Sequence, residues 1–374
     1  PYKMSEYQYY EWQTIDRPLT DQEHAAVKRL SSHIEVSPIG AWVEYSWGDF
    51  KHDAKQVLAQ YFDAFLYMAN WGSRELMFRF PKALIDPKQI EPYCLEYCVA
   101  LEPIGDYFVL TISLGEEEPT GEWIEGGDWL AALAPLRNDI LLGDTRALYL
   151  AWLANVGSAE LVDELEPPLP AGLGKLTTPL NRLARFLEID PHLLKAAAAA
   201  SDDPSSTPDA ALRAAVGRLT RSECDDFLWR LAQGEPRLTL TFQHRLQDLI
   251  GAPTPQDRPR RTLDELVRAR DRLVKAEQRR KQQAAEARHK QEMEALAGRE
   301  TATWTEVERL LESYQPKAYD SAVALLTQLR DLAVYQGTQA AFQLRIDHVS
   351  AKYARRSGLI SRLRSAGLVT LHMG

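Results

Sequence analysis

Residues 6–15 read EYQYYEWQTI, with Tyr7, Tyr9, Tyr10 and Trp12 almost side by side. On an extended strand Tyr7 and Tyr9 point to one face and Tyr10 and Trp12 to the other. A sheet that stacks nucleic-acid bases shows its aromatics on one face only. Aromatics on both faces predict a central strand covered on both sides. Pro18 ends the strand, and Thr20 with Glu23 makes a capping box for a helix over 24–31. Extended segments are expected from Ile34 to Trp47, interrupted at Pro38 and Gly40. Val57, Leu58, Tyr61, Phe62, Phe65, Leu66 and Ala69 recur at helical spacing, so one long helix is expected from Asp53 to Asn70. Arg74 to Pro81 alternates as a strand does, and a proline-broken connection leads to Cys94. Tyr97 to Pro103 and Tyr107 to Leu114 form two strands around a turn at Ile104-Gly105-Asp106. An acidic loop from Gly115 to Asp128 precedes helical text from Trp129 to Val156, with a break near Gly143. The class implied is α+β: a mixed sheet with covering helices, for which a ferredoxin-like split βαβ is the expected topology.

The pattern changes after Glu164 to Lys175, a Pro- and Gly-dense stretch that reads as a domain boundary. Beyond it nearly everything has helical period. Thr178 to Ile189 and Pro191 to Ser201 make a pair, and a polar loop follows. Ala210 to Leu219 and Ser222 to Ala232 make two more helices, the second with Ser222 as its N-cap. Leu238 to Ile250 reads as helix or strand at its start, and 251–261 as a linker. Thr262 to Arg299 consists of helix formers, with Leu263, Leu266 and Leu273 at one end and no large apolar residue from Glu277 to Gln291. A coiled coil needs a sustained apolar seam, so a solvated, bridging helix is expected. From Trp304 to Leu368 the stripes Tyr319-Ala322-Val323-Leu326-Leu329 and Phe342-Ile346-Val349-Tyr353 predict helical hairpins resembling tetratricopeptide repeats. Four segments result: an acidic α+β domain at 4–163, a helical domain at 175–252, a long charged helix at 262–300 and a hairpin domain at 303–371.

Charge sharpens this division. The net charge of −9 hides a split: up to Pro167 there are 12 Lys and Arg against 28 Asp and Glu, and from Pro168 there are 32 against 25. An acidic surface repels phosphate, which confines any nucleic-acid contact to the second half. No stretch approaches the roughly 18 to 20 apolar residues of a membrane span, and no leader pattern precedes the first strand. Met4 is expected to be the natural start. Cys94, Cys98 and Cys224 are too few and too oddly numbered for a disulfide framework, which suits a reducing cytoplasm. No Cys or His pair at ligand spacing completes a zinc site, so structural thiols are the reading.

Two segments carry a resemblance. EYQYYEWQTIDRPLT, with WGDF, YFDAFLYMANWG and PYC downstream, resembles the opening of a family of uncharacterised bacterial proteins. The tail from Trp304 through YARRSGLISRL is similar to the helical region that follows the zinc finger in bacterial SWIM-domain proteins. The Cys-x-Cys and Cys-x-His pairs of that finger do not occur in this chain. The resemblance therefore implies a protein-docking tail and no zinc chemistry.

Chemistry is otherwise thin. Asp49, Asp53, Asp63 and His52 make the densest acid-base group, but Asp53 at a helix start is better placed to cap backbone amides. The loop GEEEPTGEWIEGGDW matches no calcium-loop spacing. Ala171-Gly-Leu-Gly-Lys175 lacks the order of a phosphate loop, and no serine sits in a nucleophile elbow. No catalytic residue, metal or cofactor is assigned. The expectation is a non-enzymatic adaptor with a protein partner and no membrane contact. Residues 258–299, rich in Lys and Arg, offer nucleic-acid association as the alternative, and an enzyme site in an N-terminal cleft is the third reading. The surface residues named for interaction are Trp47, Asp49, Trp71, Arg279, Arg280, Lys281, Trp304 and Tyr319.

Overall fold

The computed structural model describes residues 7–96, 98–114, 127–156, 165–203, 209–235, 237–250 and 260–369. The acidic loop from Gly115 lies almost entirely outside these residues. The chain forms two compact units, Pro1–Val274 and Lys275–Gly374.

In the first unit, β1 (Gln8–Gln13) is followed by α1 (Asp21–Lys28), β2 (Glu35–Ser37), β3 (Gly40–Tyr45) and α2 (Ala54–Tyr61). Then come β4 (Ala64–Ala69), β5 (Arg74–Pro81), three short 3-10 turns, β6 (Val99–Ile104) and β7 (Tyr107–Leu114). Helices α3 (Trp129–Leu133), α4 (Pro135–Leu141), α5 (Arg146–Ala154), α6 (Thr178–Phe186), α7 (Pro191–Ala198), α8 (Asp209–Val216), α9 (Arg221–Ala232) and α10 (Leu238–Ile250) complete it, with the first part of α11 (Leu263–Ala297).

The α+β class is as expected, but the sheet is not mixed. Its seven strands run β2-β3-β1-β4-β5-β7-β6, and every neighbouring pair is antiparallel. The parallel pair of a split βαβ is therefore absent among the described strands. Tight turns at Asn70–Ser73 and Gly105-Asp106 join neighbours directly, and such connections permit only antiparallel pairing.

The sheet is covered on both faces. Tyr9, Leu66, Leu76, Phe78, Leu110 and Ile112 pack under α3 to α7. Trp12, Ala41, Val43, Phe65, Met77 and Val109 pack with Val27 of α1 and Val57 and Leu58 of α2. This places β1 between two cores, as its two-sided aromatics require. Helix α5 is buried at every residue from Ala147 to Leu153, so it forms the centre of the helical layer. The expected boundary at Glu164–Lys175 separates no cores, because Leu173, Leu180, Leu193 and even Leu263 join the same cluster as Leu148. Glu166 fastens the crossing: it accepts from the Tyr149 hydroxyl and from Arg261 at 2.7 and 2.8 Å, and Leu165 bridges to Thr262.

The long helix expected from Asp53 to Asn70 is two elements. Asp53 does cap α2, accepting from the amides of Lys55 and Gln56 at 2.9 and 3.2 Å. The helix stops at Tyr61, and Ala64–Ala69 is strand β4 between β1 and β5. An apolar run such as AFLYMA serves either period, and the open edges of β1 and β5 decide for strand. Asp63 marks the break. Its carboxylate accepts from the amides of Ile15 and Asp16 and pairs with Arg79 at 2.8 Å.

In the second unit, α12 (Glu300–Glu312), α13 (Pro316–Gln336), α14 (Gln339–Lys352) and α15 (Ser357–Ser365) share one core with the end of α11. Helix α13 packs against α12, α14 and α15, so the bundle is organised around one central helix. Gly337 ends α13 in the left-handed conformation at φ 73°, a position that costs glycine nothing.

Candidate docking surface

The residues expected at an N-terminal cleft lie at one end of the sheet. Gln8 pairs with Tyr45 on one side and Ala69 on the other, so the loops carrying Trp47 and Trp71 flank the start of β1. Their chemistry is occupied by structure. Gln8 is buried, and its amide donates to Asp49 at 2.7 Å and to the Gly48 carbonyl at 3.0 Å, while the hydroxyls of Tyr10 and Tyr67 donate to its oxygen. Asp49 thus holds the loop on the strand. Trp47 is exposed and Trp71 half-buried.

In the second unit Trp304 and Tyr319, expected on the surface, are buried instead. Trp304 packs on Phe342 under the guanidinium of Arg345, 3.9 Å from the ring centre, and Tyr319 sits in the same core. Their helical stripes mark the inward face, which is what a stripe normally marks. Arg279, Arg280 and Lys281 are exposed, on a length of α11 with almost no covered residue. Lys281 pairs with Glu277, Arg288 with Glu292 and Lys290 with Glu294, each one turn along the helix. These acids offset much of the positive charge a phosphate would meet.

The unusual surface belongs to α9. Its N-cap is Thr220, and Ser222 lies inside the first turn. Thr220 and Glu223 form a reciprocal capping box, which leaves Ser222 no role as cap. The Thr220 amide and hydroxyl, with Arg245 at 2.7 Å, hold the Glu223 carboxyl down at about 2. Phe227 meets Phe242 edge to face at 5.0 Å. Those contacts lie on one side of the helix, where α9 and α10 with Ala83 and Leu84 border an open pocket of about 640 Å³. Cys224, Leu228 and Leu231 recur on the other side at i, i+4 and i+7, and Trp229 lies on a separate part of the helix surface. Leu228, Trp229 and Leu231 are 62, 65 and 65% exposed, and α9 contains no buried residue.

The sequence marks Ser222 to Ala232 as a helix and no more, because nothing in the pattern separates an apolar stripe turned inward from one turned outward. Among the described residues, no cluster of three His, Cys, Asp or Glu could hold a metal ion, and no helix is long and apolar enough to cross a membrane. No protein-family model matches the chain, nor does any curated protein or solved structure.

Proposed function

We propose that the protein is a non-enzymatic adaptor that receives an amphipathic helix of a partner protein on the outer face of α9. The observation that carries this is the exposed pair Leu228 and Leu231, continued by the half-buried Cys224, on a helix that buries none of its own residues. Helix-in-groove recognition uses such anchors at i, i+4 and i+7. Full burial of a Leu-sized side chain is worth about 1.5–3 kcal/mol. Leu228 and Leu231, each about two-thirds exposed, leave roughly 3 kcal/mol to be gained, about a hundredfold in affinity.

A photo-crosslinking residue at Trp229, expressed in native cells, tests this when combined with Leu228→Glu/Leu231→Glu. The expected result is a discrete adduct with another protein that the double variant loses while its circular dichroism stays unchanged. The same adduct from both chains would sink the proposal. Nucleic-acid association through 258–299 is the second reading, supported by the exposure of Arg279 and Arg280. It requires RNA or DNA affinity that falls steeply with salt and with Arg279→Gln/Arg280→Gln.

A further inference from the structure

The second unit carries positive charge that its core does not use. From Gln339 to Val369 the chain has Arg345, Lys352, Arg355, Arg356, Arg362 and Arg364 against the single acid Asp347. Arg345 lies on Trp304, and Arg362 is paired with Asp320 of α13. Lys352, Arg355 and Arg364 are exposed, and none of them makes an ion pair with a described residue. On α11, by contrast, acids one turn away answer several of the bases.

Where α14 ends, these cations are interleaved with rings. The Arg356 guanidinium packs on Tyr314 and on Tyr353, 3.7 and 4.4 Å from their ring centres, and donates to the Leu311 carbonyl near the end of α12. The Lys352 ammonium lies 5.2 Å from the centre of the Tyr353 ring. Tyr314, Arg356, Tyr353 and Lys352 thus follow one another as ring, cation, ring, cation. The inner members are held by the core, since Tyr353 is buried and Arg356 half-buried. The outer ring is open to solvent, with Tyr314 71% exposed. Tyr314 also sits at φ 59°, just past the cap of α12, a left-handed position that glycine takes freely and a bulky residue only with strain. Ending the helix asks only for glycine. The tyrosine adds an exposed ring with a fixed cation behind it, and strain kept at such a place points to use.

We propose that this corner binds a single-stranded nucleic acid, with a base stacked on Tyr314 and neighbouring phosphates on Lys352 and Arg355. Single-strand binding combines a positively charged track for the backbone with aromatic rings on which bases stack. A duplex meets the same charges but keeps its bases stacked on one another, and a run of carboxylates has no base to lay on the ring. DNA and RNA strands present the same bases and phosphates, so both are candidates for this chemistry. The site uses no residue of α9 or α11.

Fluorescence anisotropy of the whole chain tests this, with labelled DNA and RNA strands about 20 nucleotides long and a DNA duplex of equal length. Saturable binding of a single strand is expected, tighter than that of the duplex and falling steeply with salt. Tyr314→Gly relieves the left-handed backbone and removes the ring, so circular dichroism should be unchanged while single-strand affinity falls about tenfold. Tyr314→Trp should keep the affinity. Lys352→Gln/Arg355→Gln should weaken binding and lower the slope of log affinity against log salt by about 1.4, about 0.7 for each charge. Tyr335→Ala, an exposed ring at the far end of α13, should change nothing. The strand that binds tighter, DNA or RNA, identifies the source of the ligand. Absence of saturable binding by both strands at low salt, or equal binding by Tyr314→Gly, would overturn the proposal. So would a duplex that binds as tightly as the strands, or a poly-glutamate peptide that does so, which would give the patch to an acidic protein. Loss of binding in Arg279→Gln/Arg280→Gln but not in Tyr314→Gly would also overturn it and move the strand to α11. None of these readouts involves α9, so the crosslinking result stands or falls separately.

Discussion

Removing the charge at Arg137 is the sharpest perturbation of the first unit. The side chain is fully buried. Its Nε donates to the Arg79 carbonyl at 2.7 Å, and its two terminal nitrogens donate to the two oxygens of Asp16 at 3.0 and 2.9 Å. Asp63 lies 3.7 Å away. One guanidinium thus ties α4 to β5 and to the turn after β1. Arg137→Met keeps much of the length and volume and removes every donor. Breaking a buried pair from one side costs about 3–5 kcal/mol. Here Asp16 keeps Arg237 at 2.7 Å and Asp63 keeps Arg79 and two backbone amides, which places the cost near the lower end. About 3 kcal/mol corresponds to a fall of about 6–12 °C in the unfolding transition of a domain of this size. Differential scanning calorimetry of the whole chain reads it in the transition of the first unit, with the second as internal reference. Asp16→Asn and the double variant complete a cycle whose coupling should exceed about 1 kcal/mol. Acid unfolding supplies a second arm. Burial opposes ionisation of Asp63, but the charges of Arg137 and Arg79 and the amides of Asp16 and Ile15 outweigh it and lower its pKa. A depressed pKa gives stability that is present above the unfolded value and lost as pH falls through the folded one. Without Arg137 that loss should begin at higher pH. A transition within 1 °C of wild type, or strictly additive single effects, would refute the reasoning.

Glu11→Gln should stabilise the protein above neutrality. Burial pushes the folded carboxyl up to about 7 from an ordinary 4.5, so its neutral form is favoured on folding. Stability from this group is full below the unfolded value and is lost as pH rises through the folded one. Chemical denaturation should show a gain of about 2–3 kcal/mol for the variant at pH 8 and almost none at pH 4. Thr20→Ala removes the side-chain half of the α1 capping box, leaving the residue-20 amide to donate to Glu23, and should cost about 1 kcal/mol, read as a lower urea midpoint. Gly337→Ala forces a side chain into φ 73° and should cost the second unit about 1 kcal/mol, leaving the first unit's transition in place. Leu228→Glu/Leu231→Glu should leave the thermal transition nearly unchanged, because neither leucine is buried within the chain.

Local rules were legible where the physics is local. Thr20 and Glu23 signal their capping box by spacing alone, Asp53 caps α2, and the two-sided aromatics of β1 place that strand inside the sheet, because alternation fixes which residues share a face. The α+β character and the bare middle of α11 follow from the same periodicities. What needed tertiary structure were choices between states of similar local energy. AFLYMA became a strand because neighbouring strands offered it hydrogen bonds, and the antiparallel pairing of β1 with β3 and β4 and of β5 with β7 joins segments far apart in the chain. The Pro- and Gly-rich stretch before Lys175 looks like a linker, yet Glu166 and Leu173 carry one core across it. The surface was the least legible part. A helical stripe in sequence reports that one face is apolar but not which way that face turns, so Trp304 and Tyr319 went inside while Leu228 and Leu231 stayed out. In the same way, Glu11 is an ordinary polar residue of an alternating strand until Tyr9, Trp42 and the end of α3 close around it. Its unpaired oxygen exists only because distant segments remove the water that would otherwise solvate it.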